Sequence, residues 1–494
     1  MKSRNRLHLA VAGLSVLAAG VAGSAMLPGA PVRAQANAVQ AISASDKKQG
    51  AEAHPQLLQE YGGGLTGPQA TYVESVGKTI AVQSGLSNAR GDFTVTLLNS
   101  PVNNAFAIPG GYIYVTRQLV ALMNNEAELA GVLGHEVGHV AARHAAKRES
   151  AATRNTILGV LGSVLSTAVL GNSAAGQIGQ RLFSTGSQLL TLKYSRSQET
   201  EADNLGITYL GRAGYDPRAM STVLQSLANQ TALDSQIAGQ GNSVPEWAST
   251  HPDPASRVRA ALLRAGTTAT GMTNRDTFLT RVRGLTYGDD PNQGVVDGGT
   301  FTHPQLRLAF QAPAGFSLVN GATSVAISGQ SGKGEFASGK YSGDLSAYVR
   351  SVFAGLSSQG QFAPDTLQTT TINGIPAAYG TARTTSNGST VDVVVYAYDW
   401  GQGQAFHFAT ISQAGQAGQF DSMFRSIRRI NATEASAVKA RKLDVVTVKS
   451  GDTVQSLGAR MAYTDRPVDR FLVLNALTAS SRLVPGQKVK LIVY

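Results

Sequence analysis

The stretch that most constrains how this chain folds is Gly134-His-Glu-Val-Gly-His139. It sits in a proline-free run from Asn125 to Lys147, with Leu129, Val132, Leu133, Val137 and Val140 at close to helical spacing. His135 and His139 are four residues apart and share one helix face, with Glu136 beside the first. Two imidazoles and a carboxylate on a buried helix are costly to desolvate unless something satisfies them. A zinc ion does so: both neutral imidazoles bind it, and the adjacent glutamate reaches a water on the metal. The pattern points to metal-assisted hydrolysis, and the rest of the chain must supply a third ligand.

His144 lies nine residues after His135, about half a turn out of phase at 3.6 residues per turn, so it is expected to face away as a surface or packing histidine. A third histidine ten residues after the first, following a glycine bend, is absent, since Ala145 and Ala142 occupy those places. A carboxylate from a second helix is then required. Tyr194-Ser-Arg-Ser-Gln-Glu-Thr-Glu-Ala-Asp203 offers Glu199 and Asp203, four apart. One can bind the metal while the other hydrogen-bonds a ligating imidazole, with Glu201 pointing elsewhere. The competing reading is a solvated acidic helix start, which the helix dipole favours in any case.

Upstream, Asn104-Ala-Phe-Ala-Ile-Pro-Gly-Gly-Tyr-Ile-Tyr114 reads as a hairpin. Its first strand, Ala105, Phe106 and Ala107, could bind an extended peptide by strand addition, or could be plain scaffold. Downstream, Ser249-Thr-His-Pro contains His251, which could approach the metal as a fourth ligand or stabilise an oxyanion. A local turn is the alternative, because His54-Pro55 and His303-Pro304 repeat the dipeptide. Arg257 could steady that loop by pairing with an acidic group.

Together, Asn104-Ala-Phe-Ala-Ile-Pro-Gly-Gly, Asn125-Glu-Ala-Glu-Leu-Ala-Gly-Val-Leu-Gly-His-Glu-Val-Gly-His-Val-Ala-Ala-Arg-His144 and Ser195-Arg-x-x-Glu-x-Glu-Ala-Asp203 resemble the HtpX and CaaX-protease-like gluzincin metallopeptidases, most of all their periplasmic BepA-like branch. The resemblance covers roughly residues 50–265. It implies His135, His139 and Glu199 as zinc ligands, Glu136 as catalytic base, Asp203 as the carboxylate behind a ligand, and one zinc ion per chain. No helical repeats with a period near 34 residues follow, so partner recognition through such repeats is not implied.

At 494 residues there is room for two to four domains. Residues 1–36 read as a secretory signal: Lys2, Arg4 and Arg6, an apolar stretch to Leu27, and Ala34-Gln35-Ala36 for cleavage. A membrane anchor is the other reading of that stretch. The absence of cysteine rules out disulfides and thiolate ligands. The formal charge is +11, of which Lys2, Arg4, Arg6 and Arg33 supply four, and no basic and aromatic interleaving suggests nucleic acid.

The peptidase is assigned to 37–285. Within it, Ala151–Thr191 is expected to cover the site or touch a membrane surface. A linker at 286–300 leads to an accessory α+β domain at 301–430. Its alternating stretches Gln305–Phe310, Thr323–Ser328, Thr390–Tyr398 and Ala405–Ile411 flank a helical Asp344–Ser357. After a connector at 431–443, residues 444–494 resemble a LysM domain, through Val446-Thr-Val-Lys-Ser-Gly-Asp-Thr-Val454, Leu472-Val-Leu-Asn475 and Val484-Pro-Gly-Gln-Lys-Val-Lys-Leu491. That resemblance implies a βααβ order and binding to N-acetylglucosamine chains such as peptidoglycan.

The expected architecture is therefore multidomain α+β: a mainly helical gluzincin domain with a small hairpin or sheet, an α+β domain and a βααβ ending. The expected function is a zinc endopeptidase of the bacterial periplasm acting on envelope proteins, in quality control of misfolded or misassembled ones. An envelope chaperone or assembly factor, or a peptidoglycan-anchored scaffold, with latched or secondary protease activity is the alternative.

Overall fold

The computed structural model describes residues 41–144, 194–237, 251, 254–268, 270–356, 362–386 and 389–494. The expected signal and the Ala151–Thr191 cover lie outside these residues. Among the described residues no helix is long and apolar enough to cross a membrane.

Helices α1 (Ala44–Glu60) and α2 (Pro68–Ala81) lead into a three-stranded sheet of β1 (Thr94–Leu98), β2 (Ala105–Ile108) and β3 (Tyr112–Thr116). The order is β1-β3-β2, with β1 parallel and β2 antiparallel to β3, so β2 is an edge. Gly110 and Gly111 make the turn at φ 91° and 86°, where a side chain would be strained. Next come α3 (Arg117–Leu122), α4 (Glu126–Ala141), α5 (Arg196–Arg212), α6 (Ala219–Ile237), α7 (Pro254–Ala265) and α8 (Arg275–Val282).

The helix carrying the two histidines, α4, is anchored at its start by its own sequence. Asn125 caps it, accepting from the Glu128 amide at 2.9 Å. Glu126 accepts from the Tyr72 and Tyr215 hydroxyls and the Asn274 amide at 2.6, 2.8 and 2.8 Å. Glu128 accepts from the Asn124 amide and the Thr222 hydroxyl, both at 2.7 Å. Both carboxylates also lie at the positive end of the helix dipole.

Glycines let α4 approach α5 closely. A Cβ on Gly138 would stand 3.0 Å from the Ala202 carbonyl oxygen, and one on Gly206 would stand 3.0 Å from the His135 nitrogen. Gly138 of α4 and Gly206 of α5 therefore let the helix pair come together while the histidines face the site.

The second half is strand-rich. After β4 (Thr286–Tyr287) come β5 (Val295–Asp297), β6 (Thr300–His303) and β7 (Leu308–Gln311). A seven-stranded antiparallel sheet follows, formed by β8 (Ser317–Asn320), β9 (Val325–Ser328), β10 (Gly332–Lys340), β11 (Thr366–Ile372), β12 (Ile375–Ser386), β13 (Ser389–Gly401) and β14 (Gln404–Gln413), in the order β11-β12-β13-β14-β10-β9-β8. Val349 and Phe353 of α9 (Leu345–Gly355) pack on one face, and Phe310, Phe336 and Phe408 fill the other. The short β15 (Arg428–Arg429) pairs with β7 to complete a sheet ordered β15-β7-β6-β5. The expected strands and helix of this region are present, shifted by a few residues at their ends.

The chain ends in β16 (Arg441–Thr447), α10 (Val454–Gly458), α11 (Pro467–Leu474) and β17 (Lys488–Val493), the expected strand-helix-helix-strand order. Strand β16 pairs with both β17 and β4. Leu443, Phe471, Leu474, Leu491 and Ile492 lie in the same hydrophobic core as Leu129, Leu133 and Val137 of α4. Fully buried Lys490 donates from Nζ to the carbonyls of Ala121, Leu122 and Met123 at 2.8, 3.0 and 2.6 Å, closing the C-terminal end of α3. Architecturally, the described residues form a multidomain α+β molecule whose helical region carries a His/Glu cluster.

Candidate metal centre

One helical turn separates His135 and His139, and their Nε2 atoms converge to 3.0 Å. Helix α5 brings Glu199 to the same point, with Oε2 3.5 Å from His135 Nε2 and Oε1 3.4 Å from His139 Nε2. His251, just before α7, places Nδ1 3.1 Å from Glu199 Oε1 and 3.3 Å from His135 Nε2. One donor atom from each of the four lies within 4.8 Å of the others, and all four residues are buried. Three elements distant in sequence thus build a metal-binding site.

The outward-facing nitrogens are also engaged. His135 Nδ1 donates to Asp203 Oδ1 at 2.9 Å, and Arg257 holds Asp203 through Nε and Nη2 at 2.7 and 2.6 Å. Arg257 Nη1 also bonds Glu199. The Tyr194 ring stacks on His139 with centroids 3.8 Å apart. Glu136 is buried, its Oε1 has no hydrogen-bond partner, and His251 Nε2 is 3.5 Å away.

Charge in this cluster is unevenly placed. Burial opposes a proton on His135, but its hydrogen bonds to Asp203 and Glu199 outweigh this and raise its pKa to about 9. Burial, reinforced by the neighbouring imidazoles, pushes His139 well below its usual value. For Glu199, burial is overcome by His251, His135 and His139, which hold it far below the carboxylate range. Asp203 is likewise lowered, as its bonds to Arg257 and His135 outweigh burial. Burial raises Glu136. A buried anion facing imidazoles that resist shared protonation is a donor set suited to a divalent cation.

Residues 68–265 match the model of peptidase family M48. The beta-barrel assembly-enhancing protease of Yersinia pestis is 35% identical over 227 residues, covering 45% of this chain and 44% of that protein. Its namesake in Escherichia coli (strain K12) is 32% identical over 232 residues, covering 46% and 45%. The mitochondrial metalloendopeptidase OMA1 of Schizosaccharomyces pombe is 31% identical over 217 residues, covering 43% and 59%. The chain thus spans about half the length of the curated relatives it matches.

Within the M48-matching region the structure brings His135, His139, Glu199, Asp203 and His251 together, with Glu136 beside them. His251 lies in a bend, and its side chain falls among the donor atoms. Ala105 and Phe106 are buried on β2, Ala107 is half-buried, and β2 packs against α4.

His144 stays outside the donor group, as expected of a packing histidine, but it neither reaches the surface nor faces away from the helix: it is fully buried, with Nδ1 2.8 Å from His139 Nδ1 and Nε2 3.1 Å from Glu201 Oε2. The phase count assumed one continuous helix to Lys147. In fact α4 ends at Ala141, and Arg143 turns left-handed at φ 53°, which folds the next residue back. Glu201 meets His144 for the same reason. Sequence reasoning also missed Tyr194, whose ring has no motif to announce it.

Proposed function

We propose that this chain is a zinc-dependent endopeptidase of the bacterial cell envelope. The observation that carries the reading is the convergence of His135, His139, Glu199 and His251 donors beside buried Glu136, whose Oε1 accepts no hydrogen bond. His135 and His139 through Nε2, and Glu199 through a carboxylate oxygen, would hold one zinc ion per chain. When bound, zinc supplies Lewis acidity, lowering the pKa of water and polarising a carbonyl. Glu136 accepts a proton at Oε1 from the attacking water and returns it to the leaving amine. Burial, which already holds Glu136 above the usual carboxylate range, favours that shuttle. Asp203 fixes the His135 tautomer, and edge strand β2 at Ala105, Phe106 and Ala107 receives the substrate backbone.

Two things support an envelope setting: the sequence pattern read as a signal at 1–36, and the name beta-barrel assembly-enhancing protease carried by the Yersinia pestis and Escherichia coli relatives. Misassembled envelope proteins are the proposed substrates, met in the periplasm. The test is casein degradation by purified wild-type and Glu136→Gln protein, with zinc content measured in both. The variant should keep zinc and lose cleavage; cleavage at the wild-type rate would discard the assignment.

The position of His251, between Glu199 and Glu136, favours a second reading in which the protease is latched and the chain acts mainly as an assembly factor. Rescue of growth under envelope stress by the Glu136→Gln form supports that role. Glycan binding by residues 444–494 is a further part of the proposal. Because Leu491 and Ile492 belong to the peptidase core, it is better tested with the intact chain on isolated peptidoglycan, competed with N-acetylglucosamine oligomers, than by deletion.

A further inference from the structure

We propose that His144 and Glu201 are a positioning pair for His139, the counterpart of Asp203 and Arg257 behind His135; this rests on the zinc reading above. His139 can present Nε2 to a metal only if its Nδ1 carries the proton. That proton needs an acceptor, and His144 Nδ1 stands 2.8 Å away. His144 must then be the tautomer protonated on Nε2, which donates to Glu201 Oε2 at 3.1 Å. The three residues form a directed chain, His139 Nδ1–H to His144 Nδ1, and His144 Nε2–H to Glu201, ending on a carboxylate whose side chain is about half exposed.

Two features show that this contact is built into the fold. Arg143 adopts a left-handed conformation that non-glycine residues rarely enter, and this turn returns His144 to the helix it has just left. His144 is then fully buried, with Gln198 Nε2 on its carbonyl at 3.5 Å. A negative charge at the far end of such a chain strengthens the imidazole as a donor and fixes its ring. Both ligating histidines are thereby oriented from helix α5, His135 by Asp203 and His139 through His144 by Glu201. The metal geometry depends on that one helix three times over, Glu199 included.

The test uses the full chain and the variants His144→Leu, His144→Asn and Glu201→Gln. The readouts are zinc affinity by chelator competition, the visible absorption of the cobalt-loaded protein, and metal-free thermal melting. His144→Leu should weaken zinc by about 10–100-fold and alter the cobalt spectrum. His144→Asn should recover most of the affinity, because its amide oxygen can take the place of Nδ1. Glu201→Gln, which keeps an acceptor and loses the charge, should weaken zinc a few-fold with unchanged melting. Wild-type affinity and spectrum in His144→Leu overturn the pair, as does equal loss in His144→Leu and His144→Asn tracking loss of melting temperature. If His144→Leu does not fold, an unchanged affinity in Glu201→Gln overturns it. A wild-type chain that takes up neither metal would instead overturn the zinc reading itself.

Discussion

Arg257 grips Asp203 with two nitrogens, Nε 2.7 Å from Oδ2 and Nη2 2.6 Å from Oδ1, and Asp203 in turn holds His135. Removing the guanidinium leaves a buried carboxylate without its counter-charge, a loss of about 3–5 kcal/mol. Arg257→Met should therefore lower the urea midpoint markedly and weaken zinc binding. Arg257→Lys, which keeps the charge without the planar fork, should fall between the two. Equal stability of Arg257→Met and wild type in urea denaturation would contradict this.

Gly206 is where α5 meets the backbone of His135. An added methyl would lie 2.6 Å from Met220 Cε and 3.0 Å from the His135 nitrogen. The methionine can move; the backbone can do so only by shifting the ligand. Gly206→Ala should cost about 1–3 kcal/mol and reduce zinc occupancy more than its stability loss alone explains. Metal analysis and thermal melting on the same preparation check this.

Lys490 makes stability depend on pH. Burial lowers its pKa from the usual lysine range, while the charge on Glu128, itself raised by burial, pulls the other way. Where Lys490 binds its proton less readily in the native protein than in the unfolded chain, its contribution to stability rises with pH. Lys490→Met has no such titration and removes the donor facing the Ala121, Leu122 and Met123 carbonyls. The variant should melt below wild type at alkaline pH, and the gap should narrow on acidification. A gap that widens on acidification would contradict the assignment.

Metal removal should destabilise the protein, because ligation to the native state alone adds stability by mass action. Zinc at a hundred times its dissociation constant contributes about 2.7 kcal/mol. Chelation should lower the melting temperature, zinc should restore it, and magnesium, which prefers oxygen donors, should not. No shift on chelation of zinc-loaded protein would count against a metal held by His135, His139 and Glu199.

Much of the site was legible because its parts are local. His135, Glu136 and His139 share one helix face, and the four-residue spacing of Glu199 and Asp203 survives into the structure because both sit on an uninterrupted helix. The contact of His144 with His139 was not legible because a phase count is valid only while the helix continues, and α4 stops before it. The ends of β7, β9 and β13 were approximate for a similar reason: alternation marks a strand, while pairing with its neighbours sets where it ends.

The sequence by itself determined which groups can bind a metal and that a second helix had to contribute a carboxylate, for which short-range periodicity and residue chemistry are sufficient; the strand-helix-helix-strand order of the last fifty residues came from a resemblance of motifs. Only the tertiary structure decided that His251 joins the cluster from beyond α6, that Arg257 binds Asp203 and Glu199, that His144 turns back onto His139, and that Lys490 caps α3 from the far end of the chain. These are contacts between segments up to 369 residues apart. They are fixed by burial and helix packing, which no local pattern encodes.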